Sequence, residues 1–186
     1  MKVILASRSP RRLTLLQSAG FTVEVKPSHI DETALPDESV TAMVARLSRD
    51  KALACDAPAD TPVIAADTLV AIGEHVLGQP RDTAHAKIML QQLAGHEHRV
   101  ITGVCVRSGA HIAQQNVETL VRFRALSDTE IETYLACNHV LDKAGAYAVQ
   151  AGAASFIESI QGPLDNVIGL PVRCTRQMLM ECSSAT

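Results

Sequence analysis

The segment Pro62-Val63-Ile64-Ala65-Ala66 constrains the fold of this chain more than any other. A short continuous apolar run with β-branched residues reads as a strand covered on both faces, and only helices packed on both sides of a sheet cover it that way. The run delivers Asp67 and Thr68 at its end, where open α/β sheets bind ligands. The segments around it agree. Val3 to Ala6 reads as a strand. Ser9-Pro10 supplies an N-cap and a first-turn proline for a helix that stops at Gly20. Phe21 to Val25 alternates as a strand, and Val40, Met43, Val44 and Leu47 repeat at helical spacing up to about Cys55. A hairpin around Gly73-Glu74, a helix from Asp82 to Gly95 and two long strands between Val100 and Phe123 follow. Ser127-Asp128-Thr129-Glu130 is a capping box. Ala146 to Gln150 and Ser155 to Ile160 read as strands, and Leu170 to Glu181 as the final helix. The order mixes βαβ units with hairpins and predicts an α/β chain: one domain over 1–186, with a mixed twisted sheet flanked by helices.

Composition narrows the partners. Seventeen Lys and Arg against twenty Asp and Glu leave no global positive field for a nucleic-acid duplex, and 3% aromatic residues with no Trp leave few platforms for stacking single strands. No apolar window is long enough to span a membrane, and the N-terminal apolar run is too short for a signal peptide. Five scattered cysteines with no C-x-x-C pair argue against a disulfide framework or a thiolate zinc site and fit a reducing cytoplasm. The motifs of P-loop, dinucleotide-binding, α/β-hydrolase and zincin proteins are missing. An anionic small ligand therefore has to be met by local charge.

Four places offer it. In Ser7-Arg8-Ser9-Pro10-Arg11-Arg12, two arginines occupy the first turn of a helix, where the macrodipole disfavours cations unless an anion joins them. Hydroxyls, free backbone N–H groups and guanidinium forks there make a phosphate cradle; two solvated surface charges are the competing reading. Lys51 continues the inward-facing row of its helix, with snorkelling as the bland alternative. Asp67 can bind a divalent cation or orient a water, or simply cap a turn; Asp31-Glu32 can add a metal-side oxygen, or lie solvated in its loop. Asp142-Lys143-Ala144-Gly145-Ala146-Tyr147 with Gln150 combines a cation, small residues and a side chain able to read a base edge, and a tight turn accounts for the same residues.

The segments Leu5-Ala6-Ser7-Arg8-Ser9-Pro10-Arg11-Arg12-Leu13, Ala66-Asp67-Thr68-Leu69-Val70, Thr102-Gly103-Val104, Phe123-Arg124-Ala125-Leu126, Asp142 to Gln150 and Asn166-Val167-Ile168-Gly169-Leu170-Pro171 together resemble the Maf family, in order and along nearly the whole chain. The resemblance implies a cytoplasmic nucleoside triphosphate pyrophosphatase of the group historically called septum formation inhibitors, with a fold related to the inosine triphosphate pyrophosphatases. It implies a nucleotide cleft with Asp67 as proton acceptor and Ser7, Arg11, Arg12, Glu32 and Lys51 as the phosphate and metal surroundings. Lys143 adds a further phosphate-binding cation from its own cluster, and Asp67 with Glu32 can hold Mg²⁺ or Mn²⁺. Arg12, Thr68 and Gln150 match positions associated with substrate choice. D-K-A-G-x-Y followed by Gln is the pattern of the dTTP/UTP branch, whereas the 7-methyl-GTP branch has C-A-G-S and Glu. A homodimer is what the resemblance suggests for assembly. Gln79 departs from the family's usual lysine at that place. The alternatives are a pyrophosphatase for 7-methyl-GTP or other modified nucleotides, and a non-catalytic nucleotide-binding regulator of cell division.

Overall fold

The computed structural model describes residues 1–184. Its elements run in the order β1 (Lys2–Leu5), α1 (Pro10–Ser18), β2 (Thr22–Val25), α2 (Val40–Ala54), β3 (Val63–Ile72), β4 (His75–Leu77), α3 (Thr83–Leu93), β5 (Glu97–Ser108), β6 (His111–Phe123), α4 (Asp128–Cys137), β7 (Ile157–Gln161), α5 (Leu164–Ile168) and α6 (Val172–Ser184). The seven strands form one sheet in the order β2-β1-β3-β5-β6-β7, with β4 paired to β3. β1 lies parallel to both β2 and β3, while β4 pairs with β3 and β7 with β6 in antiparallel fashion, so the sheet is mixed as the βαβ-plus-hairpin order predicts.

Local chemistry sets the helix ends. The Ser9 hydroxyl accepts from Arg12 N with Pro10 at the first helical position, and Ser127 and Glu130 form the reciprocal capping box of α4. The expected strand at Ala146–Gln150 is instead a series of 3-10 turns, Ala144–Ala146 and Val149–Ala151, with Gly145 and Gly152 in the left-handed region. The segment read as a strand is an irregular loop in which Ala146 and Tyr147 are buried. A short helix, α5, precedes α6 where the glycine- and proline-containing stretch gave no periodic signal.

The described residues gather into two compact units, the first made of Met1–Thr68, Thr102–Val117 and 169–184, the second of Leu69–Ile101 and Glu118–Ile168. In the first unit, the apolar strand residues divide by parity between two clusters. Val3, Leu5, Ile64, Ala66, Val104 and Val106 pack with Leu16 of α1 and Met178 and Leu179 of α6. Ile4, Ala6, Val63, Ala65 and Cys105 pack with Ala52 of α2 and the adjoining Cys55. This is the two-sided burial implied by the continuous apolar run: successive side chains of a strand point to opposite faces. In the second unit, Val70, Leu77, Leu90, Leu93, Val121, Phe123, Ile131, Tyr134, Tyr147 and Phe156 belong to a single core. Four of the chain's five aromatic side chains belong to it.

Candidate active site

Parity along β3 also assigns the site residues. Asp67 shares the face of Val63 and Ala65, toward α2, and Thr68 shares the face of Ile64 and Ala66, toward α1 and α6. Asp67 is not at the end of its strand, as the sequence suggested, but fifth of ten residues in β3. The edge that matters is that of β1, which ends at Leu5 opposite Ile64 and leaves Asp67 three residues beyond it. The carboxyl end of a parallel strand therefore does open beside Asp67.

On the α2 side, the Lys51 ammonium donates to Asp67 Oδ1 at 2.6 Å and pairs with Glu32 Oε1 at 3.0 Å. Lys51 and Asp67 are both buried, at 9% and 7% exposure, so the lysine does not snorkel outward: it lies in the inward row with Val40, Val44 and Leu47 and meets charge there. A buried pair of opposite charges is held when each ion has hydrogen-bonding partners that offset its lost hydration. Asp67 Oδ2 takes no hydrogen bond from the described residues. Glu32 is exposed, and its loop is held from the other side. Arg46 grips Glu38 through Nε and Nη2, both at 2.7 Å, and donates to the Thr33 carbonyl at 3.1 Å. That bidentate pairing pulls the Glu38 carboxyl down to about 2. Asp31 accepts from Thr33 N in a local turn, so of the adjacent acids one shapes the loop and the other reaches Lys51. Arg46 looked like an ordinary surface charge in the sequence; its partner eight residues back on the loop has no periodic signature.

On the α1 side, the Arg12 guanidinium is held at three points. Nε donates to the Gly169 carbonyl at 2.8 Å, Nη1 to Ser7 Oγ at 3.1 Å and Nη2 to Thr68 Oγ1 at 3.1 Å. Burial and the neighbouring Arg11 lower the Arg12 pKa, while the Asp67 and Glu32 carboxylates raise it, and the net shift is downward. Arginine has five N–H donors, so two remain for a ligand. The structure thus brings Ser7, Arg12 and Thr68 together in one network, and Glu32, Lys51 and Asp67 in a second, all in the first unit. Arg11 stands half-buried on the same first turn of α1.

Lys143 and Gln150 belong to the second unit. The Lys143 ammonium is buried and donates to the His139 carbonyl at 2.5 Å and to Asp142 Oδ1 at 2.6 Å, so it is committed to its own loop. That loop is tied further by Gly145 N donating to the Gly78 carbonyl, by Ala148 N donating to Tyr134 Oη, and by His98 Nε2 2.8 Å from Tyr147 Oη. Gln79 Nε2 reaches the Asp142 carbonyl at 3.4 Å. Gln150 is exposed, and its amide makes no bond with the described residues.

The donor set bears on a metal. Two carboxylates converge on the Lys51 nitrogen, and among the described residues no group of three His, Cys, Asp or Glu side chains is placed to hold a metal ion. Two carboxylates fit a small hard cation that completes its shell with ligand phosphate oxygens and water, and do not fit a cage built from protein alone.

The fold and this site define an α/β protein in which a lysine-bridged carboxylate pair adjoins an immobilised arginine, a class suited to polyanionic ligands. The chain belongs to the Maf family: it matches the family described as Maf-like protein over residues 2–182. It is 43% identical over 182 residues to a dTTP/UTP pyrophosphatase of Anaeromyxobacter dehalogenans, covering 96% of this chain and 92% of that one. It is 42% identical to proteins of the same description in Shewanella oneidensis, covering 97% and 98% of the two chains, and in Pyrococcus furiosus, covering 92% and 90%. Among solved structures, the Staphylococcus aureus Ham1 protein aligns with a TM-score of 0.46 and 12% identity over 66% of this chain and 72% of that one.

Proposed function

We propose that this protein hydrolyses dTTP and UTP at the α–β phosphoanhydride, releasing the nucleoside monophosphate and pyrophosphate. The observation that carries the reading is the Asp67 carboxylate: buried, with Oδ1 fixed by Lys51 at 2.6 Å and Oδ2 taking no hydrogen bond from the described residues. A protein that only bound nucleotide would have use for Arg12 but none for a buried carboxylate with an oxygen left unoccupied. The descriptions of relatives more than 40% identical along nearly the whole chain supply the substrate class.

In this reading Asp67 Oδ2 accepts the proton of the attacking water, and Lys51 keeps the carboxylate aimed while Glu32 balances the lysine's charge. Arg12 presents its two remaining N–H groups, and Arg11 its guanidinium, to the phosphate chain. Charge that builds on the leaving pyrophosphate then meets donors already oriented, the chief means by which proteins accelerate phosphoryl chemistry. Glu32 and Asp67 would hold Mg²⁺ or Mn²⁺ together with the phosphates, and such an ion supplies charge neutralisation and polarisation at phosphorus. With its aromatic side chains committed to the core or, for Phe21, lying under Arg176, the base is read by hydrogen bonds, for which the unpaired amide of exposed Gln150 is suited. Five free cysteines fit work in the reducing cytoplasm, and no described helix is long and apolar enough to cross a membrane.

The test is pyrophosphate release across a panel of canonical and modified triphosphates with and without Mg²⁺, on wild type and Asp67→Asn. Wild type should turn over dTTP and UTP best. Asp67→Asn should lose roughly 10²–10⁴-fold in kcat, the usual share of a general base, with nucleotide affinity largely kept. Full turnover by Asp67→Asn sinks the assignment of the base, and a purine triphosphate preferred to dTTP sinks the substrate class.

A further inference from the structure

Thr102-Gly103-Val104 has been given no chemical role so far, yet parity along β5 places Thr102 with Val104 and Val106 on the face that carries Thr68 and Arg12. Thr102 is fully buried, and its Oγ1 lies 2.9 Å from Thr68 Oγ1. The arginine can only donate, so Thr68 must turn a lone pair toward Arg12 Nη2, and its own proton must point elsewhere. Two acceptors stand within reach: Thr102 Oγ1, and the Gly169 carbonyl at 3.4 Å, which already takes Arg12 Nε at 2.8 Å. Without the Thr102 hydroxyl, that carbonyl at 3.4 Å is the acceptor left to the Thr68 proton, and so long a bond holds the hydroxyl less firmly. Either threonine can donate across the 2.9 Å bond, and with either polarity the bond fixes the Thr68 rotor.

We infer that Thr102 is a positioning residue for the phosphate-binding arginine, acting through Thr68 to hold the guanidinium in the orientation that leaves its two free N–H groups for the substrate. This deepens the proposed pyrophosphatase reading and rests on it. A group buried behind the site, touching no ligand, then sets the preorganisation that lowers the barrier, and small misplacements of such a group are costly.

The variants are Thr102→Val, which removes the hydroxyl at nearly constant shape, and Thr102→Ser, which keeps it. For dTTP hydrolysis Thr102→Val should lose about tenfold or more in kcat with KM changed less than about threefold, and Thr102→Ser should recover most of the loss. In an Arg12→Lys background Thr102→Val should add no further loss, because the group it positions is already gone. Independently of turnover, the Arg12 Nε–H signal in ¹⁵N-edited NMR should exchange with solvent slowly in wild type and measurably faster in Thr102→Val. Wild-type kcat in Thr102→Val, an equal loss in Thr102→Ser, or an additive loss in the Arg12→Lys background would each overturn the inference. If wild type itself turns over no triphosphate, the pyrophosphatase reading fails, and the Nε–H exchange still decides whether Thr102 holds Arg12.

Discussion

Gly103 offers the sharpest test of how the Lys51–Asp67 pair is built. It lies on β5 next to Thr102 and on the opposite face, toward α2, where a Cβ would come within 2.6 Å of the Val44 carbonyl carbon and 3.1 Å of Ala45 N. Ordinary contact begins near 3.4 Å and the Val44 carbonyl oxygen stands nearer still, so in Gly103→Ala α2 must retreat by at least about 0.8 Å. The obstacle is helix backbone, which has no rotamer to escape into. Val44 stands two turns before Lys51 on the same inward row, so the shift is passed to the lysine. A 2.6 Å bond to Asp67 lengthened by that amount reaches the outer limit of hydrogen bonding. Overpacking of this kind costs about 1–3 kcal/mol, roughly 3–10 °C in thermal midpoint for a chain of this size. Displacing an orienting group by nearly 1 Å costs up to about 10²-fold in rate. The assays are a thermal melt and pyrophosphate release from dTTP on the folded variant. Gly78→Ala serves as the stability control, since a Cβ there meets nothing within 4 Å. If Gly103→Ala melts within about 1 °C of wild type and keeps its turnover, the close approach of α2 to β5 is not what sets Lys51 against Asp67.

Two further outcomes follow from the second unit. Gln150→Glu replaces an exposed, unbonded amide by an acceptor-only group, so the ratio of dTTP to 7-methyl-GTP hydrolysis should fall; an unchanged ratio removes Gln150 from base recognition. Burial against Phe123 and Tyr147 pushes the His98 pKa down to about 4 from 6.5, which makes the folded state the poorer proton acceptor. As pH falls through that window the unfolded chain takes up a proton that the folded chain refuses, so stability contributed above pH 6.5 is lost progressively, by about 3 kcal/mol near pH 4. Urea melts of wild type and His98→Gln at pH 7 and pH 4 check this. The difference between the two proteins should shrink at the lower pH by roughly that amount, and a constant difference contradicts it.

What the sequence made legible, and what it hid, divides along one physical line. Signals carried by near neighbours survived: Ser9 and Ser127 as caps, the inward row that ends at Lys51, and the apolar run whose two faces are both buried. Partnerships across long separations left no trace. Arg46 looked like any exposed arginine because its acceptors, Glu38 and the Thr33 carbonyl, lie on an irregular loop. The strand expected at Ala146–Gln150 failed for a different reason. Tyr147 is buried as a strand residue would be, but the backbone bonds go to near neighbours, Ala146 N to the Lys143 carbonyl and Ala151 N to the Ala148 carbonyl, and close turns where a strand would have bonded across a ladder. Asp67 shows how both kinds of information combine. Its chemistry was visible from an acid following apolar residues, yet its placement depends on β1 stopping at Leu5 and on strand parity turning it to α2 while Thr68 turns to α1. A one-residue slip of β3 would exchange those two faces and leave Lys51 opposite a hydroxyl and Arg12 opposite a carboxylate. The apolar run opposes such a slip, because it would send Ile64 and Val63 each into the other's cluster. The residues that carry no chemistry thus decide which side chain receives the lysine and which the arginine.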